Sequence, residues 1–286
     1  MLLGDIMSTH EILILGGPNS GKTHYAGQLY GRLKRLPSTK LRIRGRDSDS
    51  TDLTFLEGVL TSLENGNATE HTPTNQYAQI NFPLIDEEGS EYGLSWPDYG
   101  GEQIKQIFKD RSVPAEWRER LQTANGWMVF IRLSSEVAYP FSLEKMEESG
   151  EETTRPEEWD ANAKWIELMQ ILCHVAGTGV TTKDRKPSVA IMLSCFDELG
   201  EKEKTPEEVL MRQLPLFYTF LCSNWSKEDI SIWGLSSLGK TLTDKSNDDA
   251  FVNQGPEYQG WVIPPSETTM DSDLTRPLFW LLGKKK

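Results

Sequence analysis

The stretch Glu11–Thr23, EILILGGPNSGKT, decides how the rest of the chain is read. It opens with EILIL, a short apolar run of the kind that forms a strand buried on both faces. The residues that follow, Gly16–Thr23, fit G-x-x-x-x-G-K-T without adjustment. A phosphate chain carries several negative charges and must be held by many donors at close range. Glycines let backbone N–H groups converge on it, and the positive end of the following helix adds to them. On this pattern Gly17, Asn19, Ser20, Gly21 and His24 line the cradle. The Lys22 ammonium reaches the β- and γ-phosphates, and the Thr23 hydroxyl ligates Mg2+.

Composition narrows the partners. The 286 residues include 43 acidic and 30 basic side chains, a formal net charge of −13. Neither nucleic acid nor an anionic membrane surface is attracted to such a chain. No apolar stretch is long enough to span a bilayer, and the opening MLLGDIMSTHE is too short and too acidic for a signal peptide. Cys173, Cys195 and Cys222 are odd in number and lack metal-ligand spacing, and His10, His24, His71 and His174 are scattered. A soluble, reducing, cytoplasmic setting is expected.

Outward from the opening run, apolar segments recur at 127–131 (WMVFI), 189–193 (VAIML) and 230–235 (ISIWGL), again suiting buried parallel strands. Residues 78–84 and 92–96 alternate apolar with other positions around the acidic, turn-like IDEEGSE, which predicts a hairpin with one wet face, Pro83 marking an edge strand. Helices are expected over 23–36, over 102–123 with a break at Pro114, and over 157–175. Two more are expected, one over 206–224, with a capping box from Thr205 to Glu208, and one over 273–282, interrupted or started by Pro277. The fold class that follows is α/β: three layers around a mostly parallel sheet with one antiparallel edge strand. A single domain over 1–286 is expected, with insertions near 39–70, 136–156 and 240–270. The acidic 136–156 stretch reads as a solvated insert or a docking surface for a partner. Tyr258 and Trp261 belong either to an interaction loop or to a loop pinned on its own domain by Trp261.

Three further stations stand at predicted strand ends. WPDYGGE (96–102) contains D-x-x-G as Asp98–Gly101, where the carboxylate can hold a Mg2+-bound water and Gly101 can give its N–H to the γ-phosphate. LSCFDEL (193–199) follows the strand VAIML and puts Ser194 and Asp197 where a carboxylate can accept from N1 and N2 of guanine. GLSSLGK (234–240) brings Ser236, Ser237 and Leu238, whose backbone N–H groups can meet the guanine oxygen. Ligands of such sheets bind at the carboxyl ends of the strands, so the order and placement of the four stations reinforce one another.

Taken in order, the four stations resemble those of the Ras-like P-loop GTPase superfamily, over nearly the whole chain. GGPNSGKT, WPDYGGE and the late GPEYQGWVIPP…DSDLTRPLFWLL are similar to bacterial double-GTPase families of conflict and antiphage gene clusters, which are encoded beside partner or effector proteins. The resemblance implies a GTP/GDP switch with Mg2+ held by Thr23, Asp98 and a switch threonine, Thr74 or Thr72 in EHTPTNQ. Catalysis would rest on Lys22, Gly101, Thr74 and Glu102. The departures matter. The family's Asn-Lys-x-Asp is here Ser194-Cys195-Phe196-Asp197, so the lysine that packs on the base is replaced by Cys195. The usual Gln after D-x-x-G is Glu102, which implies slow hydrolysis. No Arg lies between Asp47 and Asp110, so the stimulating residue is expected from an effector protein, a second GTPase or a second copy of the chain. A nucleotide-locked scaffold without hydrolysis and a P-loop ATPase or kinase stay open, the last opposed by Asp197 and by the lack of a recognisable Arg-rich lid.

Overall fold

The protein is described here from a computed structural model covering residues 9–36, 41–43, 54–69, 78–89, 91–98, 101–138, 159–178, 186–200 and 203–283. Five strands carry the apolar or alternating segments read from the sequence and run parallel: β1 (Thr9–Gly16), β4 (Glu91–Asp98), β5 (Gly126–Ile131), β6 (Ser188–Ser194) and β7 (Ile230–Ser236). With β2 (Leu41–Ile43), β3 (Ala78–Asp86) and β8 (Trp261–Ile263) they form one sheet in the order β2-β3-β4-β1-β5-β6-β7-β8.

The central strands read as unbroken apolar runs because both of their faces are covered. Alternate residues therefore enter two cores. Leu13, Leu15, Val129, Ile191 and Leu193 face one side, against α3 (Gly101–Asp110), α4 (Ala115–Thr123), α5 (Ala161–Val175), α6 (Pro206–Gln213) and α7 (Pro215–Asn224). Ile12, Ile14, Met128, Phe130 and Met192 face the other, against α1 (Lys22–Arg35), α2 (Thr54–Glu64) and α9 (Arg276–Leu281). Each fully buried side chain of this size contributes ~1.5–3 kcal/mol, so the middle of the sheet carries much of the stabilising burial. This is the expected three-layer α/β class.

Several boundaries differ from expectation for identifiable reasons. The stretch 206–224 is two helices, because Pro215 has no N–H to donate and Leu214 before it leaves the helical region (φ −130°, ψ 65°). The Thr205–Glu208 capping box is present in full. Pro114 caps α4 and separates it from α3, and α5 begins at Ala161, where the Asp160 side chain accepts from the Ala163 N–H at 3.2 Å. β3 pairs antiparallel with β4 from Ala78↔Asp98 to Ile85↔Glu91, the expected hairpin. It is not the outermost strand: β2 pairs with its far side at Leu84–Asp86, one residue past Pro83. β2 and α2 lie in the 39–70 insertion, and most of 136–156 lies outside the described residues. No helix of the described residues is long and apolar enough to cross a membrane.

The 240–270 segment packs at the edge of the sheet and against α1 and α2. It contributes α8 (Asp249–Gln254) and β8, which pairs antiparallel with β7. Trp261 is pinned edge-on to Phe196 with ring centroids 6.4 Å apart, whereas Tyr258 is exposed. Val262 exchanges both backbone hydrogen bonds with Asp271 at 2.8 and 2.7 Å. The buried Arg32 of α1 donates to the carbonyl oxygens of Ser272, Gln259 and Gly260, and the Tyr25 hydroxyl donates to Leu274 O at 2.8 Å. A second seam joins the insertion to the chain after α2. The Ala68 N–H donates to Thr243 O, the Asp248 N–H donates to Gly66 O, and the Asn67 and Asn247 side-chain oxygens each accept from the other residue.

Gly260 marks a tight contact of this segment. It has φ +78°, and a Cβ there would stand 2.4 Å from Ser237 O and 2.9 Å from Ser236 O. Those carbonyls are backbone, of the last residue of β7 and the one after it. Gly260→Ala is accordingly expected to cost roughly 2 kcal/mol or more, from positive φ and overpacking together, measured as a fall in the urea midpoint at unchanged m-value.

Candidate nucleotide-binding site

The site grows from the end of β1. At Gly16 (φ +155°) the chain turns so close to β5 that a Cβ would lie 2.9 Å from both the Cβ and the carbonyl oxygen of Phe130, and 2.7 Å from Ser20 Oγ. Asn19 (φ 59°) and Gly21 (φ 78°) take left-handed conformations that carry the loop round into α1, with Gly21 as N-cap. Ser20 is buried, and its hydroxyl donates to Gly17 O at 2.8 Å. The Lys22 side chain curls inside this loop. Its ammonium donates to Gly16 O (3.0 Å), Gly17 O (2.9 Å) and Ser20 Oγ (3.1 Å), so a buried positive charge stands within the ring of backbone. Thr23 follows as the second residue of α1, and no acidic residue occupies the first turn of that helix.

Beyond the end of β6, Cys195 is left-handed (φ 51°) and Phe196–Leu199 form a short 3-10 turn closed by Gly200 (φ 67°). Phe196 points into the core, and Asp197 lies half-buried in the turn. Burial pushes the Cys195 thiol up to about 11, so it is neutral at physiological pH and brings no charge in place of a lysine. At and just beyond the end of β7, Ser236, Ser237 and Leu238 are all buried, and Ser236 Oγ accepts from the Gly239 N–H at 2.9 Å. Gly21 joins the three loops: a Cβ there would stand 3.8 Å from Ser194 Cβ and 4.0 Å from Ser237 Oγ. The Ser194 hydroxyl is buried and, among the described residues, without a hydrogen-bond partner. Burying such a group unmet costs about 1–3 kcal/mol, which leaves it with bonding capacity to offer at that meeting point.

β4 runs parallel to β1 and ends at Asp98, at the same rim as the loop of Gly16–Gly21. α3 opens at Gly101 with Glu102 in its first turn. The side chains of Asp98 and Glu102, and the whole of Thr72 and Thr74, lie outside the described residues. Among the described residues no group of three or more His, Cys, Asp and Glu side chains is placed to hold a metal. His24, read from the sequence as part of the cradle, accepts the Thr69 N–H on Nε2 at 3.1 Å. It therefore ties α1 to the chain that leads to the two threonines.

Sequence reasoning passed over Arg132, Ser134 and Glu198. Arg132 follows β5 directly, and its Nε donates to Glu198 Oε2 at 3.0 Å while Nη2 donates to Oε1 at 2.5 Å. Ser134 Oγ donates to Glu198 Oε2 at 2.6 Å. Burial works to raise the Glu198 carboxyl, but the hydrogen bonds from Arg132 and Ser134 outweigh it and hold the group below its usual range. The available signal was positional: an Arg one residue past a buried strand, and a second carboxylate next to Asp197.

A family model for Double-GTPase 1 matches residues 13–281. No curated protein matches the chain in sequence. Among solved structures, the small GTPase Arl6/BBS3 of Trypanosoma brucei with a bound nucleotide analogue aligns at 11% identity over 88% of this chain and 99% of its own, with a TM-score of 0.39. The GTPase-like domain of Ski7 from S. cerevisiae, bound to GTP, aligns at 15% identity over 80% of this chain and 43% of its own, with a TM-score of 0.42. Roco2 of Methanosarcina barkeri, bound to GDP, gives 13% identity, 87% and 48% coverage and a TM-score of 0.33. With a phosphate-type loop on β1, two further loops beside it and a family match spanning nearly all of its length, the chain belongs to the Double-GTPase 1 family.

Proposed function

We propose that the protein is a guanine-nucleotide switch that hydrolyses GTP slowly and signals its nucleotide state to a protein partner. The observation that carries this reading is the convergence at Gly21, where a Cβ would stand within about 4 Å of both Ser194, at the end of β6, and Ser237, just after β7. Phosphates fit the first loop, with its buried Lys22 ammonium and open backbone. The base fits between Asp197 and the Ser236–Leu238 loop, where a half-buried carboxylate and backbone N–H groups supply opposite halves of a hydrogen-bond pattern. Thr23 and Asp98 suit Mg2+, a hard cation that takes few protein oxygens and completes its shell with phosphate and water. When bound, Mg2+ would neutralise charge between the β- and γ-phosphates.

The chain's own residues divide the rest of the work. Lys22 stabilises charge on the terminal phosphates, Gly101 donates its N–H to the γ-phosphate, and Glu102 orients the attacking water together with Thr74 or Thr72. Glu102 is a carboxylate beside an anionic phosphate, which supports slow turnover. The lack of an Arg between Asp47 and Asp110 supports a stimulating residue supplied from outside, by an effector, a second GTPase or a second copy of the chain. The resemblance to GTPases of bacterial conflict clusters supports a role in antiphage defence inside the cell. Glu102 and the neutral Cys195 also favour a second reading, a scaffold that binds nucleotide without cleaving it.

Calorimetric titration of nucleotide-stripped protein with GDP, a non-hydrolysable GTP analogue and an ATP analogue tests the base assignment. Guanine nucleotides are expected to bind and adenine to fail. Asp197→Ala is expected to weaken GDP by roughly 30-fold or more, the cost of leaving base donors unpaired, and equal binding of ATP would refute the assignment. Single-turnover hydrolysis with excess protein separates the two readings. A rate on the order of 10⁻³ s⁻¹ or below is expected for the switch, lost in Lys22→Ala, whereas no product over many hours would leave the scaffold.

A further inference from the structure

We infer that Arg132 is a positioning residue for base selection, fixing through Glu198 the turn that carries Asp197. This inference rests on the reading of Asp197 as the guanine-recognising carboxylate. To select guanine, that carboxylate must meet two N–H groups of the base edge at once, which tolerates an error of only about 0.5 Å. The turn's two ends, Cys195 and Gly200, are both left-handed, and within it the Glu198 N–H donates to Cys195 O at 3.0 Å.

Two anchors complete the fixation. On the inner side Phe196 is seated in the core, within reach of Gly234 and edge-on to Trp261. That leaves rotation about Phe196 as the soft motion of the turn, and this is the motion that would swing Asp197. On the outer side Arg132 stops it. The guanidinium projects from the residue after β5, a strand buried along its whole length, and grips both oxygens of Glu198, the residue next to Asp197. Ser134 Oγ adds a third bond to the same carboxylate from the short helical turn Leu133–Ser135. A planar fork bound at two points fixes orientation as well as distance. The pair also matches charge, the Glu198 carboxylate being neutralised by Arg132.

The test compares GDP with IDP, which lacks the 2-amino group, on nucleotide-stripped full-length protein. The phosphates contribute equally to both, so the ratio of the two dissociation constants reports how well Asp197 is aimed. Arg132→Ala is expected to lower the IDP/GDP ratio about fivefold or more, chiefly by weakening GDP, since one good hydrogen bond is lost. If circular dichroism shows that this variant does not fold, Glu198→Gln is read in the same way, with the same direction expected. A ratio that stays within twofold of wild type in these variants, while Asp197→Ala lowers it, would overturn the inference and leave the pair a stability feature. Equal weakening of GDP and IDP would overturn it as well. A ratio insensitive to Asp197→Ala would instead bring down the guanine reading itself, and the role of Arg132 with it.

Discussion

The loop after β1 can fold back over the end of the sheet because Gly16 carries no side chain. With β5 backbone 2.9 Å from where a Cβ would stand, any other residue would push the loop off Phe130 and carry Ser20, Lys22 and Gly21 with it. From that contact the rest of the rim is built. The Lys22 ammonium can be buried because the closed loop offers it two carbonyls and a hydroxyl. A charge taken out of water is tolerable only with such partners, so the same geometry that shapes the cradle also stabilises its cation.

The second group of contacts is less familiar in form and works at longer range in the chain. The segment after β7 does not leave the site. It bonds through Thr243, Asn247 and Asp248 to the chain after α2, and through Gln259, Gly260 and Ser272 to Arg32 on α1. Burial works against the Arg32 charge, and three carbonyl oxygens accept from it. The loop of Ser236–Leu238 is rooted in this segment and His24 binds the Thr69 N–H, so that loop and the chain toward Thr72 and Thr74 share supports.

The parts of the fold that were legible in the sequence are those governed by local rules. EILIL, WMVFI, VAIML and ISIWGL are buried on both faces and read as unbroken apolar runs; the Thr205–Glu208 cap and the break at Pro114 are local chemistry. What stayed hidden depends on contacts distant in sequence. β2 and β8 are three residues each, too short to show a period, and gain strand geometry from their neighbours. The division at Pro215 was legible in principle, since proline at that position obliges Leu214 to leave the helix. At the site, the residue types of the Gly16–Thr23 loop were plain from spacing. Arg132 was marked only by its position one residue past a buried strand, because the carboxylate it grips lies 66 residues away in the chain.

β8 has a consequence for how this protein can meet other chains. The outer side of β7 is occupied by β8, and Val262 in turn spends its own N–H and carbonyl on Asp271. Past Ile263 come Pro264 and Pro265, neither of which has an amide hydrogen to offer. At this margin the sheet is sealed: an incoming strand would find no ladder to extend. Contacts made here must therefore be read by side chains rather than by backbone, which protects the margin against indiscriminate stacking of sheets while leaving shape and charge to choose the partner.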